Sequence, residues 1–212
     1  MHLVCPNHPG RSFLPPFLAN LMRPCLRTFL ILVAAGFALP ALAAPLSYRL
    51  EADGSRVGFE VGFNAGSIQG TFPVTAADLT LDFERAANSR AHVVLDASGA
   101  SANIPFATQA MKSDGVLATH SFPAITFEGR DFRRDGDAAT VSGMITIRGQ
   151  TRPLTLTARV FRPQGTDPGY RDRLAVQLTG TVRRSDFGAT GFADMVGDEV
   201  HLKILARLVR TP

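Results

Sequence analysis

The sequence has no tryptophan, two tyrosines and two cysteines. Both cysteines, Cys5 and Cys25, stand near its beginning. A fold stapled by disulfides is therefore excluded, and so is a cysteine nucleophile in the rest of the chain. Enzyme signatures are missing as well. There is no G-x-S-x-G elbow, no H-E-x-x-H and no phosphate-cradling glycine loop. His92, His120 and His201 are far apart, and no pair has metal-ligand spacing. No metal, no cofactor and no catalytic residue is expected.

Long apolar runs are absent too. The longest, Phe29 to Leu39, is far shorter than the roughly 20 residues a membrane-spanning helix needs. It ends at Pro40, follows Arg23 and Arg27, and precedes Ala41-Leu42-Ala43. A basic start, a short apolar centre and an A-x-A end read as a secretory leader cleaved after Ala43. Cys25 lies ahead of the run, so it is not a lipid attachment site. Residues 1–21 carry four prolines and no helical pattern; the expectation is that translation starts at Met22 and that residues 1–21 are upstream sequence. Residues 44–212 then form one exported domain, expected in the periplasm, with no stable membrane span.

Charge of one sign is also scarce. Loss of Arg11, Arg23 and Arg27 from 22 basic residues leaves 19 against 18 acidic ones, a net charge of +1. No concentrated basic face remains to suggest a nucleic-acid partner.

What the chain has is alternation of apolar and polar residues. Val57, Phe59, Val61 and Phe63 share one face of a strand; so do Ile68, Gly70, Phe72 and Val74. The pattern recurs through Leu79–Phe83, Val93–Leu95, Ile125–Phe127, Val141–Ile147, Leu154–Val160, Leu174–Val182 and Val200–Leu208. One dry and one wet face is the mark of antiparallel sheet. Eight or nine such strands make a sandwich or a barrel. Residues 98–122 break the alternation; a short helix is expected there, capped by Asn103, running to about Lys112 and ended by Ser113-Asp114-Gly115.

Small barrels either fill their interior or keep room for one ligand. Gly70, Gly143, Ala158 and Gly180 on the dry face suit both cases, and alternation alone does not separate them. If a cavity exists, alternation and the helical face assign its lining to Val57, Phe59, Val61, Phe72, Leu81, Phe106, Met111, Phe127, Ile145, Ile147, Leu154, Leu156, Val176, Leu178, Leu202 and Ile204. A buried hydrocarbon chain contributes roughly 0.8 kcal/mol per CH₂. A handful of isoprene-sized units thus offsets the roughly 4–15 kcal/mol cost of association. His120, Arg152 and Asn64 are candidates for the rim or for a headgroup. In TIRGQTRPLTL (146–156), Gly149 supplies a turn, Arg148 is expected to face water, and Pro153 starts a strand. Arg183-Arg184-Ser185-Asp186-Phe187-Gly188 reads as a polar turn in which Asp186 bonds nearby backbone.

Four stretches together resemble the YceI-like family of exported lipid-binding proteins: SRVGFEVGF (55–63), HSFPAITFEG (120–129), TVSGMITIRGQTRPLTLTARV (140–160) and RRSDFGATGFADMVGDEVHLKI (183–204). The resemblance covers residues 46–209. It implies an all-β, eight-stranded antiparallel, lipocalin-like barrel with a short helix near one end. It also implies a polyisoprenoid or similar long-chain amphiphile, such as a quinone-like or prenyl-phosphate lipid, held by a periplasmic carrier that is not an enzyme. The stretch PFATQAMKSDGVL (105–117) departs from the family by having only Lys112 and Asp114 as charges, and Asn64 is the nearest match to a family polar residue near the second strand. An envelope protein with a filled barrel, an enzyme acting on a lipid headgroup, and a homodimer are left open.

Overall fold

The computed structural model describes residues 44–136 and 138–212. The leader expected at 1–43 lies outside the described residues. Among those described, the chain forms eleven strands and one α-helix. The strands are β1 (Leu46–Leu50), β2 (Arg56–Phe63), β3 (Gly66–Phe72), β4 (Val74–Leu81), β5 (Arg90–Asp96), β6 (Ser101–Ala102), β7 (Ala124–Asp135), β8 (Ala138–Ile147), β9 (Gln150–Phe161), β10 (Arg173–Arg183) and β11 (Val196–Arg210). The helix α1 spans Pro105–Lys112, between β6 and β7.

Eleven segments build eight lanes. The 15-residue β11 pairs with β2 along Val196–Leu205 and with β1 along Leu208–Arg210. The loop between β1 and β2 keeps this ladder continuous: the Glu51 amide donates to the Arg207 carbonyl at 2.8 Å and the Arg207 amide to Ser55 Oγ at 2.9 Å. On the next lane β3 and β4 are separated only by Pro73, which lacks an amide donor and marks the bend. β2 pairs with β3, and β1 with β4. The ring continues β4–β5–β7–β8–β9–β10–β11 and closes where β1 meets β11. Every pairing is antiparallel. The fold is a closed eight-stranded barrel, and closure removes the free edges that open sheets must protect.

The hairpin between β8 and β9 is a two-residue loop in which Arg148 has φ 50° and Gly149 φ 70°. Two positive φ values define the type I′ turn, whose twist matches that of the flanking strands. Strand β9 already begins at Gln150, so Pro153 lies within it. It pairs with Met144 on β8, while the β9–β10 register covers only Thr157–Phe161. The missing proline amide thus falls where β9 has parted from β10.

Asn103 does not cap α1. The cap position is Ile104, without a side-chain bond, and Pro105 opens the helix. Asn103 instead exchanges bonds with Gln69 on β3: its amide donates to the Gln69 carbonyl at 2.8 Å, and its Oδ1 accepts from the Gln69 amide at 3.1 Å. The helix ends at Lys112, as its sequence suggests.

Candidate functional site

The two ends of the barrel are built differently. At one end gather the β2–β3 turn, α1, the β8–β9 hairpin and the connection from β10 to β11. Ala107 of α1 packs with Phe59, Val61 and Ile68, with Met111 and Phe72 alongside. Arg184 stitches this end together. It is 9% exposed, and its guanidinium donates to the carbonyls of Gly197 (2.9 Å), Ala189 (2.6 Å), Gly191 (2.7 Å) and Val196 (2.9 Å). Asp198 completes the clasp by accepting from the amide (2.9 Å) and hydroxyl (2.8 Å) of Ser185. These two bonds hold the Asp198 carboxyl below its usual pKa. The RRSDFG and GDEV segments are thus joined by Arg184 and Asp198. Asp186, expected to make the local bonds, is exposed and makes none among the described residues.

Arg148 also belongs to this end and does not simply face water. It donates to the carbonyls of Gly188 and, at 2.9 Å, Asp114, and so ties the hairpin tip to both neighbouring loops. Its buried Nε has no partner among the described residues.

At the other end lie the β4–β5 connection, the β7–β8 hairpin and the loop between β9 and β10. Asp82 organises the first of these. Its carboxylate accepts from the amides of Arg85 (2.7 Å) and Glu84 (2.9 Å) and from Asn88 Nδ2 (2.9 Å), which lowers its pKa. Buried Tyr48 donates its hydroxyl to the Arg171 carbonyl at 2.8 Å, and burial raises its pKa. The Arg171 guanidinium lies 4.4 Å from the centre of the Phe83 ring.

Between the two ends runs a cavity of about 450 Å³. That is well inside the roughly 300–1,000 Å³ of ligand pockets and above the roughly 150 Å³ of a single-side-chain void. Of the expected lining, Val57, Phe59, Val61, Phe72, Leu81, Met111, Phe127, Ile145, Ile147, Leu154, Leu156, Val176, Leu178, Leu202 and Ile204 border it. Nine of these (Val57, Phe72, Leu81, Met111, Phe127, Ile147, Leu178, Leu202 and Ile204) are only half-buried although they point inward. Their exposed surface faces the cavity. The interior is hollow, and a barrel filled by its own side chains is not what this chain builds.

Phe106 is the exception. It is 67% exposed and lies outside the cavity, edge-on to Phe192 with centroids 6.4 Å apart. The helix turns the Ala107–Ala110–Met111 face inward, and Phe106 precedes that face by about 100° of rotation. The three polar candidates do not border the cavity either. His120 and Asn64 are exposed on the helix end; Asn64 takes φ 47° in the β2–β3 turn. Arg152 lies on the outer surface, in a separate polar hollow with Arg183, Asp186 and Glu199. The glycines have a packing role. A Cβ on Gly70 would enter the Phe59 ring, and one on Gly180 would stand 2.6 Å from Leu156 Cδ2. Gly143 is closed off by the Glu128 carbonyl.

What the sequence reading missed is polar. Arg133, Arg134, Arg162 and Arg171 border the cavity at the end away from α1. They sit at strand ends and in loops, where alternation gives no phase, so nothing in the pattern separates them from ordinary surface arginines. Among the described residues, no group of three or more metal-ligating side chains comes together, and no helix is long and apolar enough to cross a membrane.

Comparison with known proteins gives a consistent result. A model of the YceI-like domain matches residues 48–208. An Enterobacter protein of the UPF0312 group is 27% identical over 165 residues, covering 76% of this chain and 85% of the relative. The protein YceI of Salmonella newport is 26% identical over 178 residues, covering 80% and 93%. Among solved structures, Burkholderia cenocepacia BcnA superposes with a TM-score of 0.66 at 18% identity, covering 75% of this chain and 99% of the other. The Campylobacter jejuni YceI protein gives 0.58 at 18%, covering 68% and 84%. At these identities the structural matches speak for the fold alone.

Proposed function

Since the chain belongs to the YceI-like family, we propose that it is a carrier that holds one long-chain amphiphile, of polyisoprenoid class, inside its barrel. The observation that carries this reading is the continuous apolar cavity with half-buried side chains along its walls. Nothing polar is needed for affinity. At roughly 0.8 kcal/mol per buried CH₂, a chain of about twelve carbons gains near 10 kcal/mol before association costs. The leader-like segment ahead of residue 44 supports export to the periplasm, where a carrier would shield such a chain from water. Catalysis is not part of the proposal.

The test is extraction of protein purified from its native periplasm, followed by mass spectrometry of the organic phase. A stoichiometric long-chain lipid is expected. Lipid-free protein that also fails to take up dodecanol after purification would sink the reading.

A further inference from the structure

The cavity is apolar along its walls but not at both mouths. At the end away from α1, Arg134, Arg162 and Arg171 come from three different segments: the end of β7, the exit of β9 and the approach to β10. Each is fixed by backbone carbonyls that use only one of its nitrogens. Arg134 Nε donates to Gly136 O at 3.2 Å, and Arg162 Nε to Tyr170 O at 3.2 Å. Arg171 Nη1 donates to Pro168 O at 2.8 Å and Tyr170 O at 3.0 Å. A guanidinium has five N–H donors, so each keeps several for something else. Arg171 is held from two further sides, by Phe83 beneath its guanidinium and by Tyr48 on its carbonyl. Such pre-positioning lowers the entropic cost of engaging a ligand.

The described acidic groups of this end form no ion pair with the three. Asp82 accepts from the amides of its own loop, Asp131 pairs with Arg133, and Asp172 pairs with Arg210. Glu84 attracts Arg171 at longer range. Among the described residues none of these carboxylates, nor exposed Asp135 or Asp167, forms an ion pair with Arg134, Arg162 or Arg171. Partial burial and the like charges of Arg162 and Arg134 lower the Arg171 pKa, outweighing the attraction of Glu84. At the helix end the comparable arginines, Arg184 and Arg148, are already occupied by backbone carbonyls.

We propose that Arg134, Arg162 and Arg171 form the receiving site for a phosphate-class oxyanion at the head of the bound amphiphile. This rests on the carrier reading above. It fixes the ligand's direction: the head lies at the arginine mouth, and the tail runs through the barrel toward Met111 and α1. Planar guanidiniums match tetrahedral oxyanions by paired N–H···O bonds. The mouth opens directly onto hydrocarbon walls, so the site selects an anion joined to a tail.

The experiment compares two probes that share a tail, dodecyl phosphate and dodecanol, displacing an uncharged naphthylamine fluorophore from delipidated protein. The readout is the ratio of their dissociation constants, which is insensitive to a general loss of binding. The native chain should favour the phosphate by about tenfold to a hundredfold, the range of one or two charge-assisted hydrogen bonds. The ratio should fall toward one in Arg134→Gln/Arg162→Gln/Arg171→Gln and in high salt. Arg162→Gln alone, which removes one carbonyl bond and no aromatic contact, should reduce it partway and serves if the triple variant does not fold. A ratio near one in the native chain would overturn the head site while leaving the carrier reading intact. A ratio unchanged by the substitutions would overturn the assignment to these arginines. Failure of both probes to displace the fluorophore would overturn the carrier reading itself. Calorimetry showing that inorganic phosphate binds as tightly as dodecyl phosphate would replace the lipid head by a free anion.

Discussion

Ala206→Phe separates a hollow barrel from a filled one by the sign of a stability change. Ala206 lies on β11 opposite Val176 of β10, two residues from Ile204 and from Leu208, and all four border the cavity. Its methyl group is half-buried although it faces inward, so the space in front of it is empty. In a filled core, a ring inserted here would force its neighbours off their rotamers and cost about 1–3 kcal/mol. In a cavity of about 450 Å³ the ring enters open space and buries its own apolar surface. Cavity filling of this kind yields about 0.5–2 kcal/mol, which for a domain of this size raises Tm by a few degrees, at about 2–4 °C per kcal/mol. Ligand binding should move the other way. A ring takes the place of about six chain carbons, each worth roughly 0.8 kcal/mol when buried, and a chain that retreats partway still loses at least about tenfold in affinity. The assay is calorimetric unfolding of delipidated native and variant protein, because bound lipid alone would raise the native Tm, together with fluorophore displacement by dodecanol. A variant that is destabilised by more than about 1 kcal/mol and binds dodecanol as the native chain does would refute the reasoning.

Three other outcomes follow from the packing and the clasp. Gly70→Ala should lower stability by about 1–3 kcal/mol in urea unfolding, because its Cβ meets both the Phe59 ring and the Ser101 carbonyl. Arg184→Gln should cost about 2–4 kcal/mol, since it strands carbonyls at 189, 191, 196 and 197 that one guanidinium serves; loss of protection at those positions in hydrogen exchange would accompany it. Asp82 and Asp198 have pKa values lowered by the bonds they accept. Their contribution is therefore complete above the unfolded Asp pKa of about 3.9 and is lost as pH falls through the lower folded values. Asp82→Asn and Asp198→Asn should be less stable at neutral pH and show a shallower loss of stability below about pH 4, measured by urea midpoints across the pH series.

Alternation along the chain was enough to orient nearly every inward side chain, because a strand has a period of two and one face of a barrel is dry. That is why Val57, Phe127, Leu178 and Ile204 stand where their phase put them. The same rule has no purchase off the strands. It gave no guide to Phe106, which lies outside the cavity, or to Arg152 and His120, which are exposed and do not border it. It also could not distinguish Arg184, folded inward onto four carbonyls, from Arg183 beside it, which is exposed. Closure was equally out of reach, since it depends on β1 meeting β11 at opposite ends of the described chain.

By itself, then, the sequence determined the strands, their inward faces, the hairpin at Arg148-Gly149 and the span of α1, all of which follow from local dihedral preference and from burying one face. Only the tertiary structure decided whether that interior was full. The same inward residues would serve a packed core or a channel, and the circumference of eight closed lanes, with Gly70 and Gly180 taken up by Phe59 and Leu156, leaves more volume than the side chains fill. Tertiary structure alone also brought Arg134, Arg162 and Arg171 to one mouth, because loops distant in sequence become neighbours only once the ring has closed.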